Sequence, residues 1–217
     1  MLEEACPVVT CPSQELCNYV QNWGVKTPVI FIPNGVKIPN PSTMMKKYDV
    51  LTVSRLVPWK NIDKLMIALK NTNHTLAIVG DGPEEKNLRD LAFNLKINAY
   101  FLGKLEGNEI QKIMDESKTF ALLSNYEGLS FSLIQAMAHG LTPIVSNITG
   151  NTVVVRDGVN GIVCDIKKIE DIKNSIDKLL LDSSLNQQLS IRAKLTVEEN
   201  YNLTTNIQRI THLIEQN

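Results

Sequence analysis

An excess of charge of one sign is missing from this chain. It sets 22 lysines and arginines against 23 aspartates and glutamates, a net charge of −1 over 217 residues. It therefore offers no basic surface of the kind that sequence-independent binding to a phosphate backbone requires, and nucleic acid is not an expected partner. Long apolar runs are missing too: no stretch approaches the roughly 18 apolar residues of a membrane span. The opening "MLEEACPVVTCP" is acidic and lacks the apolar core of a secretory leader, so neither a membrane span nor a targeting signal is expected.

Cysteine is sparse. Cys6, Cys11 and Cys17 are separated by four and five residues and Cys164 is remote, which fits neither a CxxC metal pair nor a disulfide scaffold. Buried free thiols in a reducing cytosol are expected. His74, His139 and His212 form no HExxH pair, and no Asp-x-Asp occurs anywhere, so no metal site is expected. "GDGP" at 80–83 lacks the spacing of either GxGxxG or GxxxxGK[ST] and reads as a strand-to-helix turn with Pro83 as the first helical residue. Asn-x-Ser/Thr matches at Asn73, Asn147 and Asn202 are read as chance in an Asn- and Thr-rich chain.

What is present is apolar material, 43% of residues, enough for a substantial core. From residue 48 onward "YDVLTVSR", "TLAIVG", "AYFLG", "TFALLS", "TPIVS" and "GIVCD" alternate with amphipathic stretches. Ile62, Leu65, Met66 and Leu69 follow helical spacing, as do Leu88, Leu91, Ala92 and Leu95. Such alternation predicts βαβ units: an α/β fold, a three-layer Rossmann-like sandwich on a parallel sheet. Ligands in such folds sit beyond the carboxyl ends of strands, which singles out the loops "SRLVPWKN", "GDGPEE", "LGKLEG", "SNYEGLS" and "SNITGN".

Residues 1–47 differ. They offer a strand "PVVTC", a helix after Ser13 ending near Gly24, a strand "PVIFI" and the turn-rich "PNGVKIPNPSTMM", read as a linker. Residues 48–200 form the main domain and 201–217 a terminal helix, in a tail expected to pack on the sheet or to cross toward a neighbouring domain.

Arg55 and Lys60 flank a Pro-Trp turn at a strand end. A planar fork and a mobile point charge together suit a diphosphate, although solvated surface charges have the same spacing. In "SNYEGLSFSLIQAMAHG", Glu127 and Gly128 make a corner before a helix that Gly140 ends. Unspent N–H groups at that helix start would receive an anion, and a glycine there would allow close ligand approach and a conformation closed to other residues. Glu127 and Gln135 fail as a hydrolytic acid pair, because one is an amide and a continuous helix would set them about 12 Å apart. That separation suits two contacts along one elongated ligand, or equally an exposed acid and a surface glutamine.

In order, "VSRLVPWKNIDKLMIAL", "LAIVGDGPEEKNLRDLA", "FLGKLEGNEI", "ALLSNYEGLSFSLIQAMAHGLTPIVS" and "VVRDGVNGIVCD" resemble the donor-binding half of a family 4 retaining glycosyltransferase of the GT-B fold. The resemblance implies that residues 1–47 are the last strand and helix of an acceptor domain plus the crossover, with the rest of that domain absent from the chain and supplied in cis or as a separate chain. It implies transfer of a hexose from a UDP- or GDP-hexose to an alcohol with retention, by a chain weak or inactive alone. No cofactor or metal is implied, and the enzyme is placed in the cytoplasm, with contact at the inner face of a membrane left to the absent half. By matching position, Arg55 and Lys60 would hold the diphosphate, and Gly128, Leu129 and Ser130 would present backbone donors to phosphate and sugar. Lys104 and Leu105 would lie beside the base. Glu127 would act at the sugar as the catalytic-site acid, and Gln135 would stand where the family has a ribose-binding glutamate. Two departures, Gln135 and the pair Thr152–Val153 in place of proline and glutamate, leave open a non-catalytic nucleotide-sugar-binding module. A sugar-nucleotide epimerase of related architecture is a further alternative.

Overall fold

A computed structural model describes residues 8–215. Its centre is a six-stranded, all-parallel sheet in the order β5-β4-β3-β6-β7-β8, built from β3 (Tyr48–Val53), β4 (Thr75–Val79), β5 (Asn98–Gly103), β6 (Ser117–Leu122), β7 (Thr142–Ser146) and β8 (Ile162–Cys164). The chain enters at the middle, steps outward to β5, then returns to lay β6 beside β3. The order therefore reverses between β3 and β6, the place where open parallel sheets bind ligands.

The strand sequences explain the burial. Neighbouring residues point to opposite faces, and both faces of a parallel sheet are covered, so the central strands carry consecutive buried apolar residues, Val50–Leu51, Leu76–Val79, Phe120–Leu122 and Ile144–Val145. Val50, Leu76, Ile78, Ala121, Leu123 and Ile144 enter one core, with residues of α2 (Ile62–Ala68), α3 (Glu85–Leu95) and α7 (Ile169–Leu181). Leu51, Ala77, Val79, Phe120, Leu122 and Val145 enter the other, with α5 (Phe131–Ala138) and α8 (Ser183–Asn200) and the underside of α4 (Asn108–Asp115). The α/β three-layer sandwich read from the sequence is the fold observed.

Two local expectations need correction. Pro83 is not the first residue of a helix: α3 begins at Glu85, and Pro83 sits in a turn closed by Glu85 N–H donating to the Gly82 carbonyl at 3.2 Å. That turn is held down because Glu84 N–H donates to the Leu56 carbonyl at 3.1 Å, which delays the helix until the chain has cleared the β3 loop. The helix after Glu127 starts only at Phe131, so Glu127 and Gln135 are not joined by a continuous helix and the 12 Å spacing does not apply.

The amino-terminal segment forms a separate two-stranded parallel sheet, β1 (Val9–Cys11) against β2 (Val29–Phe31), joined by α1 (Gln14–Asn22). Ser13 caps α1 by accepting the Leu16 N–H at 3.1 Å. The terminal helix α9 (Leu203–Glu215) returns to this segment: Asn206 Nδ2 donates to the Pro33 carbonyl at 2.8 Å, and Val36 N–H to the Tyr201 carbonyl at 2.8 Å. Cys11, Cys17 and Cys164 are free and buried; burial, with Asp171 nearby, pushes the Cys164 thiol up to about 12, so it stays protonated and inert. Cys6 lies outside the described residues. No helix among them is long and apolar enough to cross a membrane.

Candidate functional site at the carboxyl edge of the sheet

The loops that leave the strands are laced into one rim. Glycine makes two of the joins possible. Gly80, at φ +128°, lies so close to the β3 loop that a Cβ there would sit 1.9 Å from the Ser54 carbonyl oxygen. A Cβ on Gly150, in the short helix α6 (Thr149–Thr152), would sit 2.1 Å from the Glu127 carbonyl oxygen. Hydrogen bonds make other joins. Leu56 N–H donates to the Asp81 carbonyl at 2.7 Å, and Gly80 N–H to the Gly103 carbonyl at 2.7 Å. "GDGP" is thus a packing device that carries Arg55 rather than a phosphate loop in its own right.

Across the switch point the lacing is denser. Asn61 adopts the left-handed conformation, φ 51°, which asparagine tolerates better than most residues. From there its buried amide donates to the Leu123 carbonyl at 2.7 Å and to Asn125 Oδ1 at 2.9 Å. Asn125 N–H returns a bond to the Trp59 carbonyl at 2.9 Å, and the Trp59 and Tyr126 rings stack with centroids 5.7 Å apart. The residue after each ring is one of the two charged groups of interest. Lys60 Nζ pairs with Glu127 Oε1, and their side chains are only 16% and 13% exposed. Ser124 Oγ donates to the same Oε1 at 2.6 Å. Among the described residues Glu127 Oε2 accepts from no group.

The other predicted residues fall on the same edge in different states. Arg55 is exposed and has no ion-pair partner among the described residues. The backbone N–H groups of Gly128, Leu129 and Ser130 donate to no acceptor among them, while Ser130 caps α5 by accepting the Leu133 N–H at 3.4 Å. Gly128 is outside the left-handed region and a Cβ there would meet open space. The special conformation that glycine would permit there is not used, and only ligand approach remains as its reason. Gln135 lies on α5, half-buried, its side-chain amide without a hydrogen-bond partner among the described residues. Leu105 packs on the second core. Lys104 pairs with Glu106 at 2.7 Å, fully in solvent, which raises the lysine and lowers the glutamate relative to their ordinary pKa values. Of the two departures at 152 and 153, Thr152 bonds back to the Ile148 carbonyl at 3.2 Å and Val153 is exposed.

Sequence reasoning passed over Asn61, Ser124, Tyr126 and Gly150, and took Trp59 only as part of a turn. A glycine or asparagine just past a strand is a weak local signal, and apart from the short-range Ser124–Glu127 bond the partners of these residues lie some 60 positions away or on another loop. No group of three or more His, Cys, Asp or Glu that could hold a metal ion exists among the described residues. A groove of about 570 Å³ between α3 and β5, lined by Arg89, Phe93 and Phe101, contains none of the predicted site residues.

Known proteins similar to this chain identify its family. The chain is 31% identical over 180 residues to a glycosyltransferase of Haemophilus influenzae, a match that spans 76% of this chain and 51% of that protein. It is 27% identical over 217 residues to the N-acetyl-alpha-D-glucosaminyl L-malate synthase of Bacillus anthracis, 91% of this chain and 56% of that enzyme. The chain thus spans about half the length of the curated relatives it matches. Among solved structures, HepE of Anabaena in complex with UDP superposes with a TM-score of 0.84 at 22% identity, covering 98% of this chain and 64% of that one; at that identity the likeness is one of fold. The pattern of the family described as "Glycosyl transferases group 1" matches residues 37–196, which takes in every strand of the large sheet and every predicted site residue. The chain belongs to the group 1 glycosyl transferases.

Proposed function

We propose that this chain is the donor-binding half of a retaining glycosyltransferase of family 4. It holds a UDP- or GDP-hexose at the β3–β6 switch point for transfer to an alcohol. The observation that carries the reading is that one edge collects an unpaired arginine, the Lys60–Glu127 pair and three unspent N–H groups at the start of α5. Arg55, Lys60 and the amides of Gly128, Leu129 and Ser130 meet the diphosphate, a charge arrangement that calls for no metal. Glu127 Oε2 accepts a sugar hydroxyl. Gln135 contacts the ribose, as a neutral and therefore weaker acceptor than a carboxylate. Lys104 and Leu105 border the base. The UDP bound to HepE supports a nucleotide partner.

In this reading the departing phosphate oxygen helps deprotonate the acceptor on the face it leaves, which retains configuration. Residues 1–47 are the end of an acceptor domain and 201–217 the helix that rejoins it. A half-cleft lacks the acceptor and the second wall, so the chain alone transfers slowly or not at all. Calorimetry with UDP, GDP and ADP, then with their hexose conjugates, tests the site. Micromolar to millimolar binding is expected, weakening about tenfold in Arg55→Ala for all these ligands and in Lys60→Ala for the hexose conjugates. Absence of binding, or binding indifferent to both substitutions, refutes the site.

A further inference from the structure

We propose that Glu127 withholds Lys60 from a nucleoside diphosphate unless a sugar is attached, so that the site discriminates between donor and spent product. The proposal rests on the donor-site reading above and concerns how its two charged groups share their work.

Lys60 is not a waiting cation. It is already paired with Glu127 Oε1, and both side chains are largely shielded from solvent. Ser124 Oγ, at 2.6 Å from that oxygen, and the Asn61 amide bonds to Leu123 and Asn125 hold the two loops in register, so the pair is built into the rim. A diphosphate that recruits Lys60 must draw it away from Glu127. The carboxylate is then left poorly hydrated and unpaired beside a terminal phosphate that carries close to two negative charges at neutral pH. A hexose esterified to that phosphate removes one of those charges. It also offers hydroxyl donors to Glu127, whose Oε2 has no partner among the described residues. Only the intact sugar nucleotide satisfies both members of the pair once they separate. Arg55 has no such competitor and attracts both ligands alike.

The test is calorimetry of this chain with UDP and UDP-glucose, with GDP and GDP-mannose in parallel, for the native protein, E127Q, E127D, K60M and the K60M/E127Q double variant. Each variant is checked by thermal melting. E127Q is expected to bind the free diphosphate about tenfold more tightly than the native chain and the sugar nucleotide no more tightly, reversing the preference. E127D, whose shorter arm loosens the pair but keeps the charge, gains less. In the K60M background the gain on adding E127Q shrinks to less than half, because no lysine remains to be released. An unchanged or weakened UDP affinity in E127Q overturns the proposal, as does an equal gain with and without Lys60. Either result leaves the donor-site reading standing. No binding of any nucleotide by the native chain overturns that reading and this proposal together.

Discussion

The two ends of the large sheet treat polar groups in opposite ways. At the amino end they satisfy one another. Asp49 accepts from Lys118 at 2.7 Å and from Thr75 N–H at 2.9 Å, His74 Nε2 lies 3.2 Å from Asp177 Oδ1, and Lys173 pairs with the other oxygen of Asp177 at 2.5 Å. His139 lies 2.7 Å from Asp115, and the buried Glu116 takes Lys47 at 2.7 Å. At the carboxyl end, Arg55, Glu127 Oε2, the Gln135 amide and the N–H groups of residues 128–130 have no partner among the described residues. The contrast separates an end whose charged groups are spent on one another from an end where several polar groups stay without a partner among the described residues.

The largest effect expected from breaking the contrast comes at a join. Gly150→Ala puts a Cβ 2.1 Å from the Glu127 carbonyl oxygen. The Glu127–Gly128 corner must move, at about 3 kcal/mol of stability by chemical denaturation and with loss of most sugar-nucleotide affinity. Next comes a pair of substitutions that sharpens the comparison. Arg55→Ala is expected to leave stability within about 0.5 kcal/mol while lowering nucleotide affinity about tenfold. Asp49→Asn is expected to do the reverse, costing about 1 kcal/mol of stability and leaving affinity unchanged by calorimetry.

The amino end also sets an acid response. Burial works to raise the Asp49 and Asp177 carboxyls, but hydrogen bonds from Lys118 and Thr75 to the first, and from Lys173 and His74 to the second, hold both below the usual carboxylate range. Their folded-state values are depressed, so the stabilisation is present above the unfolded value of about 3.9 and lost as pH falls through the lower folded values. Urea midpoints measured from pH 5 downward should drop below about pH 4, and Asp49→Asn should flatten that drop. The smallest effect is expected for Gln135→Glu, a few-fold gain in affinity for the sugar nucleotide with stability unchanged, since a carboxylate is the stronger acceptor for ribose hydroxyls. An unchanged affinity would remove the ground for regarding Gln135 as a weakened contact.

Legibility followed the same divide. The large sheet could be read because strands buried on both faces carry unbroken apolar runs, as in the middles of "TFALLS" and "TPIVS", and because their helices keep the 3.6 period. Arg55, Lys60 and Glu127 could be singled out because each stands near a strand end or helix start, and Gln135 because it follows Glu127 by eight positions, where the resemblance puts a glutamate. The pairing of Lys60 with Glu127 could not be read, because the two are 67 positions apart and meet only when β6 is laid beside β3. The lacing by Asn61 was hidden for the same reason. The delayed start of α3 at Glu85 was hidden because the Leu56 carbonyl that holds the Pro83 turn belongs to another loop. Gly128 misled because a glycine at a corner suggests a special conformation, and its backbone has an ordinary one.

The most direct test of the donor site is an amide chemical-shift footprint of the isotope-labelled chain on titration with UDP-glucose and, in parallel, GDP-mannose. The account predicts that the largest changes fall on the amides of Gly128, Leu129 and Ser130, with smaller ones around Arg55–Lys60, Lys104–Leu105 and Gln135, and none around Asp49, Thr75 and Asp177. Changes centred on the amino end, on the groove beside Phe93 and Phe101, or on no residue at millimolar ligand would contradict it.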